Sequence, residues 1–240
     1  MTLLRRFPLV LIAISLMGGL WTHSVLAEDL TAIQKRLSQL ISGAPSPIIK
    51  PSPLEGIYQV TIGTKVVYMS ENGQYLLNGN LIDLETRENL TEAAGNIARK
   101  EALSKIDQSG MLIYPAKDKP LRNITVFTDI DCPYCRKLHR EVPALNAAGV
   151  EVRYLAFPRA GVGSDSFHKA VSVWCSKDKK GAMNQAMAGK AIAEEKCDDQ
   201  PVVSHLSLGQ VFEVNGTPNI ILETGERIPG YVPASELIQL

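Results

Sequence analysis

Leu30, Ile33, Leu37, Leu40 and Ile41 recur three or four residues apart behind Glu28 and Asp29, acids suited to a helix N-terminus. That spacing predicts an amphipathic helix, with Gly43 ending it. Pro45, Pro47, Pro51 and Pro53 then keep the next stretch extended. From Gly56 the period shortens to that of strands. Ile57 to Ile62 and Lys65 to Met69 are β-branched or aromatic runs split by Gly63-Thr64, and Asn72-Gly73 is a hairpin turn ahead of Tyr75 to Leu77. A further short strand is expected over Leu81 to Leu84. One helix and a small antiparallel sheet make a marginal core, of a kind that needs a partner over its sheet edge.

Asn89 to Ile106 returns to helical spacing. Asn89 is placed to cap it, with Glu92 three residues on, and an alanine-rich stretch follows with Leu90, Ala94, Ile97 and Ala98. Its apolar face is thin, as befits a connector between domains. Beyond Gly110 strands and helices alternate. Strands are expected at Met111 to Tyr114, Asn123 to Phe127, Glu151 to Phe157, Asn219 to Leu222 and Glu226 to Ile228. Helices are expected over Pro133 to Ala147, as two or three within Ser166 to Lys196, over Val202 to Val214, and from Ser235 to Leu240. The order suits a mixed sheet covered by helices, and the chain as a whole is α+β.

The first 27 residues have a different texture. Arg5 and Arg6 precede an apolar run from Leu9 to Leu20, and Val25-Leu26-Ala27 places small residues at a cleavage point, the layout of a secretory signal peptide. The run is too short for a bilayer span, which wants about 20 apolar residues. Cleavage after Ala27 would place the rest of the chain in an oxidising compartment, where disulfides persist.

Charge narrows the function classes. The full chain of 240 residues carries 25 basic and 25 acidic groups. Nucleic acid is therefore excluded as the main partner, since phosphate binding needs a basic excess. Four cysteines are too few for a disulfide scaffold in a chain that is 45% hydrophobic, so the core carries the fold.

Two of those cysteines sit in Cys132-Pro133-Tyr134-Cys135, after the strand Thr125-Val126-Phe127 and at the start of a helix. A thiolate is the reactive form of cysteine, and a helix N-terminus supplies positive potential and free N–H donors. Pro133 fits the first turn, where its missing N–H costs nothing. Cys132 reads as the exposed attacking thiol and Cys135 as the more buried resolving thiol. Asp129 and Asp131 would raise the pKa of Cys132, while Arg136, Lys137 and His139 would lower it. A zinc ribbon fails on the spacing of Cys175 and Cys197, and haem attachment fails because position 136 is Arg. An inert structural disulfide remains as an alternative, though one so short stabilises little.

Cys175 and Cys197 pair by elimination, closing a loop worth roughly 3.4 kcal/mol on chain entropy. The reading is structural, with a second redox pair as the alternative. Gly216-Thr217-Pro218 lies just ahead of a strand. Its proline either starts that strand or forms a cis bond that would expose the Thr217 backbone beside the sulfurs for pairing with an extended substrate. His139, His168 and His205 are scattered, and Trp174 reads as core.

Together these residues resemble the periplasmic disulfide isomerases of the DsbC/DsbG family. The matching runs are residues 124–130 leading into the Cys-x-Tyr-Cys motif, residues 153–159, Trp174-Cys175, residues 187–190, Gly216-Thr217-Pro218 and Pro229-Gly230-Tyr231. The resemblance implies a homodimer with a cystatin-like dimerisation domain (28–88, after a signal peptide, 1–27), a linker helix (89–109), and a thioredoxin-like catalytic domain with a helical insertion (110–240). It further implies Cys132 as nucleophile, Cys135 as resolving thiol, and Thr217, cis-Pro218 and Tyr134 at the substrate. Cys175–Cys197 would be the structural disulfide, and Gly79 would lie at the dimer contact. No metal or organic cofactor is implied. The partners would be misoxidised exported proteins and a membrane reductant of the DsbD type. Pro133 departs from the glycine of the best-known isomerases and matches DsbG, which leaves the redox poise open. The expected activity is disulfide isomerisation in the periplasm, with chaperone activity. The alternatives are a DsbG-like reductase of sulfenic acids and a dimeric holdase chaperone.

Overall fold

The computed structural model describes residues 30–41 and 46–240. The leader, Glu28 and Asp29, and the Gly43 and Pro45 breakers lie outside the described residues. Helix α1 (Thr31–Leu40) buries Ile33 and Leu37 against Tyr58, Val60, Val67 and Met69 of an antiparallel sheet. That sheet runs in chain order through β1 (Ile48–Pro51), β2 (Ile57–Ile62), β3 (Lys65–Ser70) and β4 (Leu76–Leu77). Ile62 pairs with Lys65 across the two-residue Gly63-Thr64 turn, which fixes the hairpin register.

Three expectations change here. The proline-rich stretch contributes an edge strand, β1, whose Pro51 is tolerated because it ends an edge. The Tyr75 to Leu77 strand shortens by a residue. The one expected at Leu81 to Leu84 is a loop with a single bridge, Ile82 to Asn89. Asp83 explains the loop: its Oδ1 accepts the N–H groups of Glu85 and Thr86, turning the chain before a strand can propagate.

Helix α2 (Leu90–Ser104) starts where Asn89 accepts the N–H of Glu92 at 3.0 Å. Its buried residues are Gly95 and Arg99. Arg99, 2% exposed, donates from Nε to the Gly225 carbonyl at 2.7 Å and from its other end to Glu92 and Asn96. Gly225, at φ +88°, brings the turn so close that a Cβ there would lie 1.9 Å from the Asn96 carbonyl oxygen. On the other side the Tyr68 hydroxyl meets that of Thr91 at 2.6 Å, and the Thr64 hydroxyl donates to the Val211 carbonyl. The connector is thus tied to one half by Tyr68–Thr91 and to the other by Arg99–Gly225, and its last turn also packs Ala102 and Leu103 against the core around Phe127 and Phe212.

The second sheet has the order β5–β7–β6–β8–β9, from β5 (Leu112–Tyr114), β6 (Arg122–Thr128), β7 (Val150–Ala156), β8 (Asn219–Leu222) and β9 (Arg227–Pro229). Only β6 and β7 are parallel, joined by helix α3 (Pro133–Ala147). Central β6 and β8 are buried along most or all of their length. Helices α4 (Asp165–Cys175), α5 (Lys179–Met187), α6 (Val202–Val211) and α7 (Ala234–Leu237) complete the layer. The insertion therefore holds two helices, and residues 188–201 have no regular structure. Helix α6 stops short of Val214 because Glu213 turns into the left-handed region, at φ 53°. The last helix spans only four residues. Cys197 is bonded to Cys175, which ties the irregular stretch to the end of α4. Trp174 is core, 2% exposed, with its indole N–H on the Gly110 carbonyl.

Candidate active site

Strand β6 runs into a tight turn, in which the Cys132 N–H donates to the Asp129 carbonyl at 3.0 Å, and α3 begins at Pro133. Cys132 is the N-cap of that helix. Its backbone is extended, so its sulfur sits over the first-turn N–H groups instead of a capping oxygen. Cys135, one turn on, faces the core and accepts the Asp129 N–H at 3.4 Å.

Cys132 and Cys135 are each 1% exposed as whole residues. The expected surface exposure of Cys132 is therefore corrected. The Thr217 loop, brought alongside by the pairing of Asn219 with Phe127, lies over it, and the Cys132 thiol donates to the Thr217 carbonyl at 3.2 Å. The Thr217–Pro218 bond is cis.

The two thiols differ in acidity. A hydrogen bond from the Cys135 thiol is the largest influence on Cys132. Burial opposes it, but Thr217 and the N–H groups of Cys135 and Tyr134 assist, and the pKa of Cys132 falls to about 5. Burial pushes Cys135 the other way, as does its donation to Cys132, so it stays a thiol. The hydroxyls of Thr217 and Thr128 are buried with no partner in the dithiol form. Ionisation of Cys132 gives the Thr217 hydroxyl an acceptor at that sulfur.

Residues 24–92 match the disulfide bond isomerase protein N-terminal domain, and residues 108–240 match the thioredoxin-like domain. Thiol:disulfide interchange protein DsbC of Escherichia coli strain K12 is 37% identical over 213 residues, 88% of this chain and 86% of that protein. The DsbC of Dickeya dadantii is 38% identical over 218 residues, covering 90% and 88%. That of Haemophilus influenzae is 37% identical over 216 residues, covering 90% and 91%. The chain belongs to the DsbC family. It is a thiol:disulfide oxidoreductase of the disulfide-isomerase class, with the α+β make-up expected for a DsbC N-terminal domain ahead of a thioredoxin-like one.

Within this DsbC-family site the charges around the motif fall differently from the sequence expectation. Asp129 is 3% exposed, and its Oδ2 accepts from Nε (2.9 Å) and the backbone N–H (3.1 Å) of Arg159. Asp131 is held by Lys169 at 2.9 Å and Arg136 at 3.1 Å. Both acids are neutralised by cations, Arg159 from the loop after β7, Lys169 from α4 and Arg136 from α3. The contest around Cys132 is decided by hydrogen-bond donors rather than net charge. His139 takes no part: its ring nitrogens meet the Tyr154 hydroxyl (3.2 Å) and Asn184 (2.9 Å), and burial lowers its pKa, keeping it neutral.

Tyr134 is 61% exposed beside the motif, its ring stacked on Tyr231. Gly79 lies far from the sulfurs in sequence, in the exposed loop after β4, with its carbonyl near the Thr91 hydroxyl at 3.5 Å. His168 and His205 stay on separate elements, α4 and α6. Among the described residues no three His, Cys, Asp or Glu side chains gather as a metal site requires. None of the described helices is long and apolar enough to cross a membrane. Arg159, Lys169, Thr128 and Tyr231 escaped the sequence reading. Thr128, Arg159 and Tyr231 lie inside the runs that carry the family resemblance, which was the available signal; Lys169 does not.

Proposed function

We propose that this protein is a periplasmic disulfide isomerase, exported by residues 1–27, in which Cys132 is the nucleophile and Cys135 the resolving thiol. The observation carrying this reading is the split acidity of the pair: a helix-capping Cys132 ionised near neutral pH, beside a Cys135 held as thiol. The Cys132 thiolate attacks one sulfur of a wrong disulfide. That S–S bond breaks, an S–S bond to the enzyme forms, and a substrate thiolate leaves. If the freed thiolate attacks elsewhere and a later substrate thiolate expels Cys132, the disulfide has moved with no net redox change. A Cys135 slow to deprotonate lengthens the life of the mixed disulfide and favours that route.

When Cys135 does attack, the substrate leaves reduced and the enzyme pair is oxidised. A membrane dithiol reductant of the DsbD type then supplies two electrons and two protons. Thr217 and Pro218 present backbone to an extended substrate, with Tyr134 at its side. Misoxidised exported proteins are the substrates, and no metal or organic cofactor takes part. Residues 28–88 would form a cystatin-like dimerisation unit with Gly79 at the contact. Residues 89–109 would link it to the catalytic domain, 110–240, and the cleft between two arms would give chaperone activity. Exposed Tyr75, Leu76, Leu77, Ile82 and Leu84 support a partner at that end.

The test is reactivation of a scrambled, multiply disulfide-bonded protein by the reduced enzyme, with Cys132→Ser alongside. Recovery that needs Cys132 supports the reading. Failure despite intact exchange on simple disulfides points to the DsbG-like reductase. Aggregation suppression without any exchange points to the holdase.

A further inference from the structure

Tyr134, Lys137 and Glu141 lie at i, i+3 and i+7 on α3, a single helical face. Tyr231 lies along that face and meets all three. Its ring stacks on Tyr134 with centroids 6.3 Å apart and planes 26° apart, and Lys137 Nζ sits 4.2 Å from its centroid. Its hydroxyl donates to Glu141 Oε1, while Glu141 Oε2 accepts the Ala234 N–H at 2.6 Å. Glu141 thus anchors both Tyr231 and the start of α7.

The residue before Tyr231 is tied to the opposite wall. The Gly230 N–H donates to the Pro218 carbonyl at 2.9 Å, one step beyond Pro229, which pairs with Asn219. Gly230 has φ +89°, a conformation that suits glycine, and it lets the chain leave β9 and turn toward α3. Residues 229–231 therefore touch both neighbours of Cys132, the Pro218 backbone and the Tyr134 ring. The ring is supported from beneath, yet Tyr134 remains 61% exposed.

We propose that Tyr231 is a positioning residue and that it holds Tyr134 as an aromatic platform for an aromatic side chain adjoining the substrate's reactive cysteine. A free tyrosine at the mouth of a site would lose side-chain freedom on every binding event. Stacked on an anchored ring, Tyr134 has already lost it, and its outer face is available to a second π system. Lys137 makes the underlying ring electropositive, which weighs against a lysine or arginine in that place. Glu141 raises the pKa of Tyr231 to about 12, so the anchoring hydroxyl stays a donor at working pH.

This inference rests on Cys132 exchange as proposed above, and the experiment separates the two. Two disulfide peptides, identical except for Phe or Ser beside the cysteine, react in excess with the reduced enzyme in single turnovers, giving a half-saturation concentration and a maximal rate for each. The native enzyme should favour the Phe peptide roughly threefold to tenfold, through half-saturation, as one aromatic contact warrants. Tyr231→Ala should bring that ratio close to one. Tyr231→Phe, which keeps the ring but not the Glu141 bond, should retain most of it. Tyr134→Ala, at an exposed position where folding is insensitive, should abolish it independently. A native ratio near one, or a Tyr231→Ala enzyme that slows both peptides while keeping their ratio, overturns the platform. Absence of reaction with either peptide would instead refute exchange at Cys132.

Discussion

Replacing Cys135 with alanine removes the group that does most to lower the pKa of Cys132, its hydrogen-bonding thiol. A hydrogen bond to a charged acceptor is worth about 1.5–3 kcal/mol, and one pKa unit corresponds to about 1.4 kcal/mol. The Cys132 midpoint should therefore rise from about 5 by roughly one to two units, to about 6–7. It should stop there, because Thr217 and the N–H groups of Tyr134 and residue 135 remain. At pH 6 the native thiolate fraction of about nine-tenths would fall to roughly a quarter if the midpoint reaches 6.5. The assay is the rate of iodoacetamide alkylation of Cys132 from pH 3 to 9, read by intact mass. It is unambiguous in the variant because Cys175 and Cys197 are bonded to each other. Cys135→Ser keeps a donor in place and should hold the midpoint within about half a unit of native. An unchanged midpoint in Cys135→Ala would refute the hydrogen-bond account. A rise all the way to that of an ordinary thiol would refute any contribution from the helix N-terminus.

Three further outcomes follow from packing and charge. Arg99→Met leaves the Gly225 carbonyl without its buried donor, while the half-exposed Glu92 is solvated, and should cost about 1–3 kcal/mol in urea unfolding; an unchanged stability would contradict its role as a tie. Gly225→Ala drives a Cβ into the Asn96 carbonyl and should cost more than Gly161→Ala. The latter has a similar φ of +82° but open space, so it bears only the backbone penalty of about 1–2 kcal/mol. His205 is 3% exposed, accepts the Ala156 N–H, and is held by burial at a pKa of about 4. Between the unfolded value of 6.5 and that folded value the unfolded chain binds the extra proton. Stability should thus fall by up to about 3 kcal/mol as pH drops through that window. His205→Gln should remove this slope, and an unchanged slope would place the titration elsewhere.

Much of the fold was legible where local signals agree. Helix α3 occupies the span expected, because a cap position, a proline at N1 and an apolar period coincide there. Asn89 caps α2 for the same local reason. The misses are set by contacts distant in sequence. Strand β1 forms because β2 offers an edge, which a proline-rich stretch does not announce. The burial of Cys132 depends on a loop 85 residues away. Arg99 carries no sequence signal for burial, because its acceptor is supplied by a turn 126 residues on. At the site, the reactive pair was readable from spacing, whereas Arg159, from the loop after β7, and Lys169, from α4, reach Asp129 and Asp131 from 30 and 38 residues away and carry no spacing signal. Tyr231 likewise meets α3 only through the folded sheet.

The central claim, that Cys132 makes the covalent attack, is tested most directly by trapping. The Cys135→Ala protein, incubated with a misoxidised multiply disulfide-bonded protein and quenched in acid, should hold substrate in a mixed disulfide that peptide mapping places at Cys132. Adducts at Cys175 or Cys197, or no adduct while the native protein still exchanges disulfides, would contradict it.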